Sequence, residues 1–295
     1  MWSVQAPLLT FGSEEQKERF LPGMCRGELL AAHGMTEPET GSDAFQLKTT
    51  ARKVEGGYRL DGHKWLVGLA PVCQFALVFA TLNPELGKWG VTAFLVESDR
   101  EGFEAGPAED KVGLRTGPLG RITLRDCFVP EENRLGPEGG GVSLFNHSML
   151  WERAFIFASH LGSMHRPLDE AEAYAGERVV FGEPIRKHQS VSTRLADMKL
   201  RTEMARLLLY KAAWSMDAGR SDPGLSAMVK LHLSEAFVEN SIDAMRIHGG
   251  RSCLTEFEVE RDLRDAIGGV IYSGTSDIQR QVIAQLADLG IPEAG

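Results

Sequence analysis

Cysteine is scarce and scattered in this chain of 295 residues: Cys25, Cys73, Cys127 and Cys253 form no close pair. That spacing argues against a zinc knot, a redox Cys-x-x-Cys pair and a dense disulfide framework, and it predicts reduced, mostly buried thiols with no metal site. An excess of positive charge is also missing. Lys and Arg number 32 against 41 Asp and Glu, a net charge of −9, and no block of like charge interrupts the chain. A nucleic-acid interface has no electrostatic footprint in such a sequence. No apolar run approaches the ~20 residues of a membrane span, and the mildly apolar opening Met1 to Phe11 lacks a basic flank and a cleavage signature. The expectation is an acidic cytoplasmic enzyme without nucleic-acid or membrane partners. With 43% hydrophobic residues, the chain can build one large or two medium domains.

What is present changes character along the chain. Ser13 followed by Gln16 predicts a helix start with acidic residues in its first turn, ending near Gly23. From about Leu30 to Phe128 the pattern is strand-like. Leu47 to Val54, Tyr58 to Leu60, Phe75 to Ala80, Val91 to Val96 and Ile122 to Leu124 are separated by turns such as Glu55-Gly-Gly57 and Asp61-Gly62. Short strands at this spacing predict a small β-barrel or sandwich. After the glycine-rich turn 136–141 the period becomes helical, with helices expected over 142–175, 188–218, 222–250 and 274–288 and a bend in the first at Gly162 or Pro167. The fold class is α+β, divided as 1–29 helical, 30–137 β-domain and 138–295 helical bundle.

Several ordered blocks carry chemistry. In Met35-Thr-Glu-Pro-Glu-Thr-Gly-Ser-Asp43, Pro38 and Gly41 expose backbone amides while Thr36 and Ser42 offer hydroxyls, a set suited to phosphate and flavin oxygens. Gly62-His-Lys-Trp65 places a flat aromatic on a strand. Arg178-x-x-Phe181-Gly182, followed by His188-Gln189, offers a guanidinium that could face a pyrophosphate. Arg246, His248-Gly-Gly250 and Ile271-Tyr-Ser-Gly-Thr-Ser-Asp-Ile-Gln-Arg280 complete the set. Taken alone, each block also fits an ordinary polar turn, core aromatic or surface arginine.

In this order the blocks resemble the acyl-CoA dehydrogenases over nearly the whole chain. The resemblance implies bound FAD, with Met35 and Thr36 at the isoalloxazine, Ser42 near the pyrophosphate and Trp65 covering one side of the flavin. It implies that Arg178 and Phe181, with Gln189 beside them, reach a neighbouring subunit's FAD. Arg246, Gly249, Gly250 and Thr275 are expected at the same cofactor. Departures are visible: Val67 stands where the family has Thr or Ser, Arg246 replaces glutamine, and Ser252 replaces a glycine.

Dehydrogenation α,β to a thioester needs a base for the α proton. A carboxylate suits the task, because a site from which substrate excludes water strengthens it as a base. Many family members carry that glutamate where this chain has Ser273. Met149-Leu-Trp-Glu-Arg153 resembles the helix start of the isovaleryl and long-chain branches, whose glutamate there is the base and whose other position is small. The resemblance therefore implies Glu152 as the base. On residues alone, a Glu-Arg pair on a helix is as well read as a solvated pair.

Family members begin with a helical domain of which Met1 to Phe20 resembles only the last element. The expectation is a homo- or hetero-oligomer; either a second chain supplies the missing helices, the favoured reading, or the sequence is a fragment or a degenerate relative. The function implied is FAD-dependent dehydrogenation of an acyl-CoA or acyl-carrier-protein thioester, with an electron-transfer flavoprotein or oxygen as acceptor. Two alternatives stay open: a flavin oxidase or monooxygenase of the same fold, and a partner subunit of a heteromeric dehydrogenase with little activity alone.

Overall fold

The structure is a computed structural model that describes residues 1–287, so the last residue of the helix expected over 274–288 and the end of the 138–295 bundle lie outside the described residues. The chain forms two compact units, one of residues 1–111 and 115–151, the other of 112–114 and 152–295.

The first unit opens with α1 (Trp2–Phe11) and α2 (Glu14–Arg26). Ser13 and Gln16 form the expected capping box, each side chain bonding the other's backbone N–H. The buried Gln16 amide also donates to the carbonyls of Glu132 and Arg134, so one residue caps the helix and ties it to the sheet. α2 passes the expected stop at Gly23. It ends instead at Gly27, whose left-handed backbone (φ 74°) turns its N–H onto Gly23 and Met24 carbonyls.

Then come β1 (Ala31–Gly34), β2 (Thr50–Val54), β3 (Gly57–Gly68), β4 (Phe75–Thr81), β5 (Val91–Glu97), β6 (Phe103–Ala105), β7 (Leu119–Pro130) and β8 (Arg134–Leu135). They form one 8-stranded sheet in the order β6-β7-β3-β2-β4-β5-β8, with β1 parallel to β4. β4 is buried on both faces, and its period of two shares it between two cores. Ala76, Val78 and Ala80 join Tyr58, Leu60, Phe94, Ile122 and Val129 in one. Phe75, Leu77 and Phe79 join Leu8, Phe20, Met24 and Leu95 in the other, against α1 and α2. Each of the larger aliphatic and phenylalanine side chains contributes roughly 1.5–3 kcal/mol by leaving water, and each alanine roughly a third of that.

The second unit receives the end of α3 (Gly141–Phe155), then α4 (Ala158–Glu177), the two-residue strands β9 (Val179–Val180) and β10 (Glu183–Pro184), α5 (Gln189–Asp217), α6 (Pro223–His248), α7 (Val259–Ile267) and α8 (Ser276–Leu286). α6 is central, buried on most of its circumference against α4, α5, α7 and α8. The single helix expected over 142–175 is two helices. Gly162 and Pro167 lie inside a continuous α4, and the break falls at Ile156 and Phe157, where the Phe157 ring is drawn into the core against Tyr272 and His160. The cysteines are all free, but only Cys73 and Cys127 are buried; Cys25 and Cys253 are exposed, which corrects the expectation of mostly buried thiols. No helix among the described residues is long and apolar enough to cross a membrane.

Candidate active site

In the first unit the strand carrying Trp65 is not regular. β3 slips register against β7 between Lys64 and Val67, and Leu66 takes a left-handed backbone at φ 54°. The bulge sends both Lys64 and Val67 inward. Lys64 is fully buried and pairs with Glu37, itself 2% exposed, at 2.8 Å; its ammonium also donates to the Met35 carbonyl at 3.2 Å. Glu37 accepts two backbone N–H groups besides, from Lys48 and Thr49 at 2.5 and 3.0 Å. Burial opposes the Glu37 charge, but Lys64 and these donors hold its carboxyl below the usual carboxylate range. Burial pulls Lys64 down to about 8, with Glu37 working against it. The pair is ionised at neutral pH and pins the Met35–Glu37 segment, which Trp65 N–H also holds through the Thr36 carbonyl at 2.9 Å.

In the second unit Glu152 and Ser273 meet. Ser273 Oγ donates to Glu152 Oε1 at 2.5 Å across 121 residues of chain. Ser273 has a left-handed backbone (φ 56°), which costs a non-glycine residue roughly 1–2 kcal/mol. The loop is held from several sides. Gln279 Nε2 donates to the carbonyls of Ser273 and Gly274 at 3.3 and 3.0 Å, and Arg153 Nε points at Ser273 O at 3.5 Å. A Cβ on Gly274 (φ 86°) would lie 2.5 Å from that Gln279 nitrogen, so glycine is required there twice over. Tyr272, one residue earlier, stacks on Phe157 and places its hydroxyl 3.0 Å from His160 Nε2. Burial, with a smaller push from Glu152, raises the Tyr272 phenol well above its ordinary value. Burial also pushes His160 down to about 4, against the opposing charge of Asp265.

The His160 shift has a sign. An unfolded histidine takes its proton near pH 6.5 and the folded one only near 4, so acid favours the unfolded chain across that window. Stability should fall by about 3 kcal/mol between pH 6.5 and 4 in the wild type. His160→Asn should flatten that part of the curve. Equal slopes in denaturant titrations of the two proteins would show that His160 is not the group lost.

Comparison with known proteins settles the family. Residues 139–287 match the model of the acyl-CoA dehydrogenase C-terminal domain, 32–127 that of the middle domain and 1–28 that of the N-terminal domain. The chain belongs to the acyl-CoA dehydrogenase family. It is an FAD oxidoreductase acting on the CH–CH bond of an acyl thioester. An L-prolyl-[peptidyl-carrier protein] dehydrogenase of Pseudomonas fluorescens is 47% identical over 282 residues, covering 95% of this chain and 74% of that protein. The crystal structure of the prolyl acyl carrier protein oxidase AnaB superposes with a TM-score of 0.96 at 45% identity, covering 98% of this chain and 76% of the other. PigA with FAD and proline superposes at 0.94 with 39% identity, covering 98% and 75%.

Against this family's expectations, the twelve candidate residues divide between the units. Met35, Thr36, Ser42 and Trp65 lie in the first, the other eight in the second. The Met35 side chain is buried at 3% exposure in the core beside α1 and α2, which leaves its backbone as the part able to meet a flavin. Thr36 is half-buried, Ser42 is exposed in its loop, and the Trp65 ring carries the Arg121 guanidinium at 5.2 Å. Val67, at 2% exposure, is packed into the sheet core.

In the second unit Arg178 is exposed at the end of α4, and Phe181 is 94% exposed at the tip of the β9–β10 hairpin with its ring edge against His188. Gln189 is the first residue of α5 and is exposed. Arg246 is not free: it binds Asp243 at 3.2 Å, a carboxylate that also holds Arg194 and Arg201 at 3.0 Å each. Gly249 and Gly250 follow α6 with open space where a Cβ would stand, and Gly249 (φ 63°, ψ −141°) has a backbone that only glycine tolerates. Thr275 caps α8, its Oγ accepting from Ile278 N–H at 3.2 Å, which leaves its proton to donate elsewhere.

These residues fit FAD. Thr40 Oγ1, Ser276 Oγ and Gln279 Oε1 are buried polar atoms without a protein partner; Thr40 lies in the 35–43 motif, and Ser276 and Gln279 in the first turn of α8, within the 271–280 motif. The buried Lys64–Glu37 pair, the His160–Tyr272 contact and the Asp243 hub escaped the sequence reading. The first left one signal, a lysine at an inward position of a strand.

Proposed function

We propose that the chain removes two hydrogens from an α-aminoacyl thioester held on a carrier protein, the L-prolyl group of its relatives being the first candidate. Glu152 takes the proton from Cα, and a hydride leaves Cβ as the Cα–Cβ bond becomes double. Bound FAD supplies the acceptor for that hydride at N5. The observation that supports this reading is the meeting of Glu152 and Ser273, a base offered from the helix toward a position from which the alternative glutamate is missing. Arg153, half-buried beside it, has its pKa lowered by desolvation, and its Nε steadies the loop that presents Ser273.

In the first unit, Met35, Thr36 and Ser42 are the proposed flavin-binding residues, with Trp65 as the ring contact. In the second, Gly249, Gly250 and Thr275 offer backbone and hydroxyl to a flavin, while Arg246, already engaged with Asp243, would lend charge more than contact. Arg178, Phe181 and Gln189 would serve a neighbour's FAD. The working state proposed is thus an oligomer, in the cytoplasm. A bare Phe181 on a hairpin tip suits a residue covered by a partner.

The test is an anaerobic titration of the flavin-loaded protein with L-prolyl-carrier protein and with simple acyl-CoA and acyl-carrier thioesters, followed by mass analysis. Bleaching with loss of two hydrogens from the prolyl thioester is expected, and admitted oxygen or an electron-transfer flavoprotein then identifies the acceptor by which restores colour. Bleaching by an acyl-CoA alone would sink the aminoacyl reading. An Arg178→Ala protein should release FAD on gel filtration; full retention would remove the cross-subunit contact.

A further inference from the structure

Ser273 stands where many family members place their base, and its hydroxyl is engaged in a particular way. A hydroxyl has one proton and two lone pairs. The proton goes to Glu152 Oε1, and no described residue donates to the oxygen in return. Ser273 and Glu152 are both partly exposed, so the dyad presents a carboxylate and, beside it, a hydrogen-bond acceptor. The loop that sets this geometry is braced by Gln279 on its carbonyls and by the Tyr272–His160 contact behind it. An acceptor fixed this close to the base faces whatever is bonded to the carbon that loses the proton. In an aminoacyl thioester that neighbour is nitrogen, about 1.45 Å from Cα, and it carries a hydrogen.

We propose that Ser273 is the residue that selects an α-amino group, its Oγ accepting the substrate N–H while donating to Glu152. The inference rests on the aminoacyl reading above and names how that substrate is told from a plain acyl group. Glycine or alanine at this position would leave the amine facing apolar atoms, an omission that sites built to bond a substrate N–H or O–H punish by large factors. A glutamate there would compete with Glu152 and hold a second negative charge next to it.

The experiment compares two substrates on the same carrier: the L-prolyl thioester and the cyclopentanecarbonyl thioester, in which the ring N–H is replaced by CH2. Rates of flavin bleaching against substrate concentration are measured anaerobically for the holoenzyme, Ser273→Ala and Ser273→Gly. Glycine adopts the left-handed backbone without strain, so one of the two variants is free of the steric cost that a Cβ carries there. The expected result is a preference for prolyl over cyclopentanecarbonyl that collapses at least tenfold in both variants, mostly through weaker binding, with FAD content retained. Loss by the same factor with both substrates would show that Ser273 only positions Glu152 and would overturn the proposal. So would no loss with either. A wild-type protein that bleaches with the cyclopentanecarbonyl thioester but not with the prolyl one would overturn the aminoacyl reading itself, a result distinguishable because it precedes any substitution.

Discussion

Glu152→Gln should lower flavin reduction by about 10²–10⁴-fold, the range that a positioned general base contributes, while FAD and thioester remain bound. Glutamine has the same shape and keeps an oxygen to accept from Ser273 Oγ, so the loop bearing Tyr272 and Gly274 has no reason to move. What it lacks is a basic oxygen able to take the Cα proton. Stopped-flow bleaching with a saturating thioester measures the loss directly, and the flavin spectrum shows whether cofactor is kept. Reduction at the wild-type rate would exclude Glu152 as the base.

Glu37→Gln should cost about 3–5 kcal/mol, because it leaves the Lys64 ammonium buried without its counter-charge. For a unit of this size that is a fall on the order of 10 °C in the transition of the first unit. FAD should be held less tightly as well, since Lys64 fixes the carbonyl of Met35. Replacing Lys64 as well, Glu37→Gln with Lys64→Met, should recover most of the loss, because the side-chain oxygen at 37 still accepts from the Lys48 and Thr49 backbone N–H groups while no ammonium is left buried without a counter-charge. Thermal denaturation of the three proteins decides it. A double variant as unstable as the single one would show that the loss comes from packing, not from the orphaned charge.

The parts of the fold visible in the chain were those with local signals. The Ser13–Gln16 capping box, the central strands and the four long helical stretches all announce themselves within a few residues. β1, β6 and β8 do not, being two to four residues long and defined by their partners more than by their own pattern. The bulge at Leu66 is invisible for a related reason: alternation counted from Lys64 puts Val67 outward, and only the mismatch with β7 reverses it. At the site, Glu152 and Ser273 were legible as two ends of one exchange because the stretch 149–153 resembles the isovaleryl and long-chain branches, which place the base there. Their hydrogen bond and the neutral His160 behind Tyr272 depend on burial and on side chains more than a hundred residues apart, for which no spacing rule exists.

The short segment Val112–Leu114 has its own consequence for how the protein is made. It leaves the first unit to join the second, where Leu114 N–H donates to Asp265 Oδ1 at 2.6 Å, Arg264 donates to the Val112 carbonyl, and Gly113 packs on the Arg264 backbone so closely that a Cβ would overlap it. The bonding partners are 151 and 152 residues apart. At a synthesis rate of roughly 5–20 residues per second, the segment waits about 10–30 seconds on the ribosome before its acceptor exists. Neither unit is therefore a contiguous stretch of the gene, and the chain closes on itself only when α7 has emerged.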